Sequence, residues 1–355
     1  REYDGSFLDF PGMTTEVTLR SYQKNAVARI LLHGNALIAH VVGAGKTYEL
    51  IASAMEGKRM NLFDKPLMVV PKHLVAQWQS DWLKLYPGAR ILAASEKDFS
   101  RKNRANFISR VAMNNYDGII MSYEQFSNIT LSDFLQASYI EQDIAEARDY
   151  LENLKTDSGD NMYSIKEVEK RIKTLESRLT AITDNVNRKK ELIDFELLGI
   201  DKIYVDEAHY YKNLRINTQL SRIKGVQTTA ALKTDRFYNI VRYMNETYNE
   251  KALTFATATP ISNSMSELYT MMKYLEPSVL KSYDCEHFDE WATAFGKIES
   301  QLELDPNGSS FRTVQKFSKF YNLPELIVAF HQVADVKLKE DIEIEVPEAV
   351  NITCE

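Results

Sequence analysis

Six short runs of apolar residues constrain the fold of this chain more than any other feature. They are NALIAH (35–40), PLMVVP (66–71), ARILAAS (89–95), GIIMSY (118–123), DKIYVDEAH (201–209) and ALTFATATP (252–260). Each is too short for an ordinary globular helix, and none shows the strict polar alternation of a half-exposed strand. Such runs suit strands covered on both faces, the condition of a parallel sheet flanked by helices. The segments between them fit the crossover helices that parallel strands require. KTYELIASAMEGK (46–58) sets Leu50, Ile51 and Ala54 on one helical face, and 74–86 and 101–113 also predict helices. Trp78 and Trp82 are spaced as core residues of the second of these. The expected class is therefore α/β with a parallel sheet.

A region of different character separates the fourth and fifth runs. Ile140, Ile144, Ala147, Leu151 and Leu154 recur at spacings of four and three, as do Ile165, Val168, Ile172, Leu175, Leu179, Ile182 and Val186. Two such arms joined by TDSGDNMY (156–163) predict an inserted antiparallel coiled-coil hairpin whose arms reach roughly 35 Å. The first arm is acidic and the second basic, which favours mutual neutralisation over a grip on nucleic acid. Beyond residue 277 the pattern reads as an irregular helical extension with a loop at 304–310, and the last fifteen residues read as an exposed strand or linker. The expected division is one α/β unit in two parts, 16–130 and 196–277, a hairpin at 131–195 and an extension at 278–355.

With 355 residues, 44% of them hydrophobic, the chain can build two or three compact units. Its net charge of −7 requires any nucleic-acid contact to come from a local basic surface. Cys285 and Cys354 form no spaced cluster, which argues against a disulfide scaffold and for a reducing, cytoplasmic setting. No apolar run has the length of a membrane span and no signal peptide opens the chain, so no membrane association is expected. Arg1 as first residue reads as a piece cut from a longer protein.

Three runs end in residues suited to phosphate chemistry. NALIAH leads into HVVGAGKT (40–47), where a glycine turn between strand and helix aims backbone amides at anionic oxygens. Lys46 would reach the terminal phosphates and Thr47 would place its hydroxyl on Mg²⁺. A full phosphate-loop pattern has glycine five residues before Gly45, and that position is His40. The same residues can be read as a glycine turn before a core helix, with a solvated lysine. IYVDEAH sets Asp206 and Glu207 at the sheet edge where open α/β sheets bind ligands. Asp206 suits Mg²⁺ and Glu207 suits polarising an attacking water. TATP brings Thr257 and Thr259 into reach of His209 or Glu207. Alone, these are a solvated strand end and two turn formers; the glycine loop and Asp-Glu-Ala-His together are far harder to obtain by chance. The six histidines lack metal-ligand spacing, no Ser-His-Asp or Cys-His arrangement stands out, and neither a methyltransferase cofactor motif nor GxGxxG occurs.

LRSYQKNAVARIL, VVGAGKT, MVVPKHLVAQW, IIMSYEQF, VDEAHYYKN and TFATATPISNSMSELYTMMKYLEP occur in the order found in superfamily-two helicases. The chain most resembles the Swi/Snf-type translocases, with Lys212-Asn213 and Pro260-Ile261-Ser262-Asn263 carrying much of the likeness. Nearly the whole chain, including the hairpin and FSKFYNLPEL (317–326), is similar to the helicase domain of large conjugative-element and phage proteins, many of which also carry an adenine-specific DNA methyltransferase. The resemblance implies a RecA-like lobe, an ATP hydrolase using Mg²⁺, duplex DNA as partner, and a mobile-genetic-element context. It makes Gln23 the adenine reader with Tyr22 and Arg20 beside the base or ribose, and Gly43, Ala44, Gly45, Lys46 and Thr47 the phosphate loop. Asp206 and Glu207 become the Mg²⁺ and water residues, and His209, Thr257 and Thr259 couple nucleotide state to DNA. Strand-tracking contacts fall on Pro71, Lys72, His73, Ser122, Tyr123 and Lys212, with Arg215 extending the positive strip.

Two departures accompany the resemblance. His40 replaces a small or acidic residue of the loop, and no QxxGRxxR-type motif occurs. That motif lies on a second RecA-like lobe in the family, so the chain resembles lobe one alone, with weak ATP binding and turnover near background expected of it. The other functions compatible with these residues are a strand-separating or RNA-directed helicase, and a catalytically weak nucleotide-sensing scaffold recruiting partners through the hairpin.

Overall fold

Neighbouring residues on a strand face opposite sides of a sheet, and here both sides are apolar. The structure, a computed structural model, describes residues 3–156, 162–184, 193–216, 218, 220, 223–224, 226, 232–261, 264–304 and 311–342. The main sheet comprises β1 (Ala36–His40), β2 (Pro66–Val70), β3 (Ile91–Ala93), β4 (Gly118–Ser122), β5 (Lys202–Asp206), β6 (Leu253–Ala256) and β7 (Ala334–Lys337). Their order is β7-β1-β6-β5-β2-β4-β3, and every pairing is parallel. Ile38, Met68, Ile120 and Tyr204 face α1 (Ser21–Leu32), α2 (Lys46–Arg59) and α3 (Val75–Leu85), where Trp78 and Trp82 are buried as expected. Leu37, Val69, Ile119, Val205 and Phe255 form the opposite core. It includes Phe107 and Val111 of α4 (Arg104–Met113) and is roofed by later helices. This is a RecA-like α/β sandwich. No helix among the described residues is long and apolar enough to cross a membrane.

Between β4 and β5 stand two long helices, α5 (Asp133–Thr156) and α6 (Met162–Asp184). Ile144, Ala147, Ile172 and Leu175 form their seam, flanked by Ile140, Leu151, Val168 and Leu179. Arg148 pairs with Glu176 at 2.7 Å and Lys155 with Glu169 at 3.6 Å, so one number falls as the other rises and the arms run antiparallel. Val186 and most of the connecting turn lie outside the described residues. The hairpin base is not separate from the sheet unit. Leu131, Tyr139, Ile193 and Phe195 belong to the second core. Tyr139 donates to Glu246 at 2.6 Å, and Arg242 donates to Asp143 and Gln142 at 2.7 Å each, tying the hairpin to α7 (Leu232–Tyr248). The core thus crosses the boundaries expected at 131 and 195.

The expected helical extension is corrected more deeply. Helix α8 (Ser266–Leu275) is followed by α9 (Pro277–Ser282) and α10 (Phe288–Phe295), but Gly296–Leu304 and Phe311–Phe320 then pair as antiparallel strands. KIESQLEL alternates with period two and is a strand signal. After α11 (Leu323–Val333), β7 returns the chain to the edge of the main sheet beside β1. Tyr269 and Met272 of α8, Trp291 of α10 and Ala329 of α11 form a third core that fixes this return. Loop residues 305–310, the terminal stretch 343–355 with Cys354, and Ser262-Asn263 lie outside the described residues.

Two outcomes follow from this packing. Replacing 132–194 with a short loop removes Tyr139 and Ile193 from the core and should cost roughly 4 kcal/mol or more. Tyr150 of the first arm donates to Asp289 at 2.7 Å, so only the tips beyond it are separable. Trimming the arms between Glu152 and Val168 should leave the melt of the sheet unit unchanged, as followed by circular dichroism. Separately, Lys202 opens β5 at 1% exposure, donates to the Lys251 carbonyl at 3.0 Å and lies 5.5 Å from the Tyr204 ring centre. Burial pulls its pKa down to about 7, whereas an unfolded lysine titrates near about 10.4. Between these values the unfolded chain binds the extra proton, so this group makes stability rise with pH across that window. Urea melts at about pH 7 and about pH 9.5 should show that rise, and Lys202→Met should flatten it; equal slopes would refute the assignment.

Candidate nucleotide and nucleic-acid site

Strand β1 ends at His40 and α2 starts at Lys46, leaving five residues to turn the chain. Gly43 and Gly45 make the turn at φ +85° and +84°, a left-handed conformation that only glycine adopts without strain. A Cβ on Gly45 would lie 2.5 Å from Gln23 Nε2, whereas one on Gly43 would meet nothing within 4 Å. The loop is therefore closed toward α1 and open on its other side. Helix α2 has no side-chain cap, and while the Tyr48 N–H bonds the Gly45 carbonyl at 3.0 Å, the amides of Lys46 and Thr47 stand at the helix start as donors for an anion. This arrangement fits a phosphate.

Side chains hold the loop in shape. Lys46 Nζ donates to the carbonyls of His40 at 2.9 Å and Val41 at 3.3 Å. Tyr22 donates to the Ala44 carbonyl at 2.8 Å, and Gln23 Nε2 approaches the carbonyls of Ala44 and Gly45 at 3.2 and 3.4 Å. Gln23 Oε1 also accepts the Arg20 N–H at 2.9 Å. Both ends of the expected adenine reader are thus engaged with the protein, and Arg20 is exposed at the start of α1.

The carboxylates stand two strands away on β5. Asp206 is buried; its Oδ2 accepts from Trp78 Nε1 at 3.1 Å and its Oδ1 from the Glu207 N–H at 3.0 Å. Burial, reinforced by the neighbouring Glu207, raises the Asp206 pKa, and the Trp78 bond opposes that rise. Glu207 adopts a left-handed backbone at φ 52°, which turns its side chain out of the strand direction. Its Oε2 lies 3.1 Å from His209 Nδ1, and the same nitrogen lies 3.2 Å from Thr257 Oγ1 at the end of β6. Thr257 Oγ1 in turn accepts the Thr259 N–H at 3.2 Å. The structure thus brings together Glu207, His209, Thr257 and Thr259.

The expected track residues divide. Lys72 and His73 are exposed beyond β2, with Pro71 half-buried, and Lys72 pairs with Glu96 at 2.5 Å. Lys212 pairs with the buried Glu267 at 3.1 Å. Arg215 lines a cavity of about 590 Å³ beside the hairpin, with Arg171 and Arg178. Ser122 and Tyr123, by contrast, are both buried. Ser122 Oγ caps the turn Tyr123–Phe126 by accepting the Gln125 N–H at 3.2 Å. Tyr123 stacks on Tyr210 at 4.1 Å and donates its hydroxyl toward the carbonyls of Asp206 and Glu207.

Three contacts at this edge carry no signal in the sequence. Trp78 reads as a core residue and is one, but nothing in its spacing shows that its N–H reaches Asp206. Tyr123 supports the acidic turn from within. The third is that of Asp335, whose Oδ2 faces His40 Nε2 at 3.5 Å while Glu49 Oε1 lies 3.0 Å from Nδ1. Burial opposes a charge on His40, but the two carboxylates outweigh it and raise its pKa to about 9.

The family described as "Probable helicase domain" matches residues 29–338, and the chain belongs to that family. Among solved structures it is similar to the Sulfolobus solfataricus SWI2/SNF2 ATPase core in complex with dsDNA, at 16% identity and a TM-score of 0.47, over 95% of this chain and 47% of that one. The Sulfolobus solfataricus SWI2/SNF2 ATPase core domain matches at 16% identity and a TM-score of 0.45, over 95% of this chain and 46% of that one. The chain spans about half the length of these structures. No curated protein matches the chain.

Tyr123→Phe keeps the stacking and deletes only the hydroxyl that serves two carbonyls. It should lower unfolding stability by about 1–3 kcal/mol in urea melts and leave DNA affinity unchanged. A selective loss of DNA binding would instead place Tyr123 on the track.

Proposed function

We propose that the chain is the ATP-binding motor lobe of a DNA-dependent ATPase which, within a longer protein, moves along duplex DNA. The observation that carries this reading is the contact chain Glu207–His209–Thr257 just beyond the ends of β5 and β6, beside the glycine loop that follows β1. Gly43, Ala44, Gly45 and Lys46 bind the phosphates, with Arg20, Tyr22 and Gln23 at the base and ribose. Adenine recognition by Gln23 exchanges its present bonds to Ala44 and Gly45 for the base edge. Thr47 and Asp206 would hold Mg²⁺, which when bound neutralises charge on the phosphate oxygens. Asp206 fits that role, because each oxygen engages one lone pair in an existing bond and keeps another for an ion's water shell. Glu207, 35% exposed at its side chain, orients the attacking water and receives its proton. His209 contacts Glu207 and Thr257 through one nitrogen, so a change at either is transmitted to the other.

Pro71, Lys72, His73 and Lys212 supply backbone contacts to DNA, which are salt-dependent and nearly blind to sequence. We further infer a second RecA-like lobe in the same polypeptide that provides the arginines this chain lacks. A mobile-element context, with an adenine-specific methyltransferase domain nearby, follows from the likeness of the sequence across the hairpin and FSKFYNLPEL.

Calorimetric titration with Mg²⁺-ATP should show weak binding by the chain and about a hundredfold loss in Lys46→Ala, as expected for removal of one phosphate-pairing charge. Equal binding by both proteins would remove Lys46 from the site. In the longer, two-lobed protein, Glu207→Gln should retain ATP binding and abolish phosphate release.

A further inference from the structure

His40 is the loop position that the helicase resemblance leaves unexplained, and it is where the last strand meets the glycine loop. One peptide group, between His40 and Val41, is held from both sides. Its N–H donates to the Lys337 carbonyl of β7 at 3.0 Å, and its C=O accepts from Lys46 Nζ at 2.9 Å. Because a peptide group is planar, its N–H and C=O turn together. Releasing β7 therefore also swings the carbonyl that holds Lys46. The His40 ring adds a second tie, between Glu49 on α2 and Asp335 on β7 at 3.0 and 3.5 Å. The longer contact is an ion pair and not a hydrogen bond.

Strand β7 needs such a tie. It is a four-residue edge strand bonded on one side only, to β1, and three of its residues are only half-buried. Strands of that kind are the first to open locally. A stabilising contact alone would be better made by apolar side chains, since burying a charged cluster costs desolvation. This cluster lies instead at the mouth of the loop, with His40 and Glu49 both at 0% exposure.

We propose that His40 and Asp335 are positioning residues for the glycine loop: the seating of β7 sets the 40–41 peptide that orients Lys46, so nucleotide affinity depends on β7 being in place. The proposal rests on the reading of this loop as a nucleotide site. Any movement that draws β7 off the sheet edge then loosens ATP, and bound ATP retains β7.

Asp335, at 16% exposure, is the residue to vary, because removing His40 strands Glu49 in the core. Amide exchange at Val41 without nucleotide reads the clamp directly, and titration with Mg²⁺-ATP reads its consequence. Asp335→Ala should speed Val41 exchange and weaken ATP binding about tenfold, a difference of about 1.4 kcal/mol. Asp335→Asn, which retains the shape but removes the charge of the ion pair, should give nearly the same two changes. Wild-type exchange at Val41 in Asp335→Ala overturns the proposal, and so does faster exchange with unchanged ATP affinity. Equal ATP binding by wild type and Lys46→Ala would defeat the nucleotide reading itself, and Val41 exchange would still decide whether the clamp exists.

Discussion

Parallel pairing is the constraint on which the rest of this molecule depends. When every strand of a sheet runs the same way, every strand ends at the same edge, and residues that terminate apolar runs converge there. The order β1-β6-β5 at the centre places three such ends side by side. Register tightens the convergence: Ile38 and Asp206 are both partners of Ala256, so the strands reach the edge nearly level. The polar ends of otherwise apolar strands thus make a site without any long-range loop to carry it.

Precision at that edge comes from core residues. Trp78 is packed by the sheet and α3, and its one polar atom holds Asp206. Tyr123 is packed on the opposite side of the sheet, and its hydroxyl holds the carbonyls of the same acidic turn. The turn is gripped from both layers of the sandwich, which sustains the left-handed backbone at Glu207. A buried aromatic with one polar atom suits such a grip, because packing fixes its ring and thereby aims its donor.

These facts separate what could be read from the chain from what could not. The six expected strands were legible because each carries its own burial pattern, and the hairpin was legible because heptads declare a seam. Strand β7 was not, since ADVK has four residues, two of them charged, and its place is created by β1 and the third core. The hairpin base was hidden for a related reason. Leu131, Tyr139, Ile193 and Phe195 are ordinary apolar residues at element ends, and only folding shows that they join the sheet core. At the candidate site, Lys46, Asp206 and Glu207 stood out by spacing, whereas the burial of Tyr123 did not, because residue type and strand end say nothing about which side chain turns inward.

His40 illustrates the same limit at a single residue. In a linear pattern it is an irregular loop member with no evident partner. In the fold, its ring lies between carboxylates contributed nine residues later and almost three hundred residues later. Glu49 alone would be an uncompensated buried acid on α2, and Asp335 alone a charged residue on a marginal edge strand. The imidazole accommodates both, at the cost of desolvating a charge where an aliphatic side chain would pack freely. Such an arrangement is selected only if relative placement is worth more than raw stability, and the elements so placed are the strand before the glycine loop, the helix after it and the edge strand beside it. A histidine at this position therefore makes the geometry of the loop a property of the completed sheet and not of the loop sequence alone.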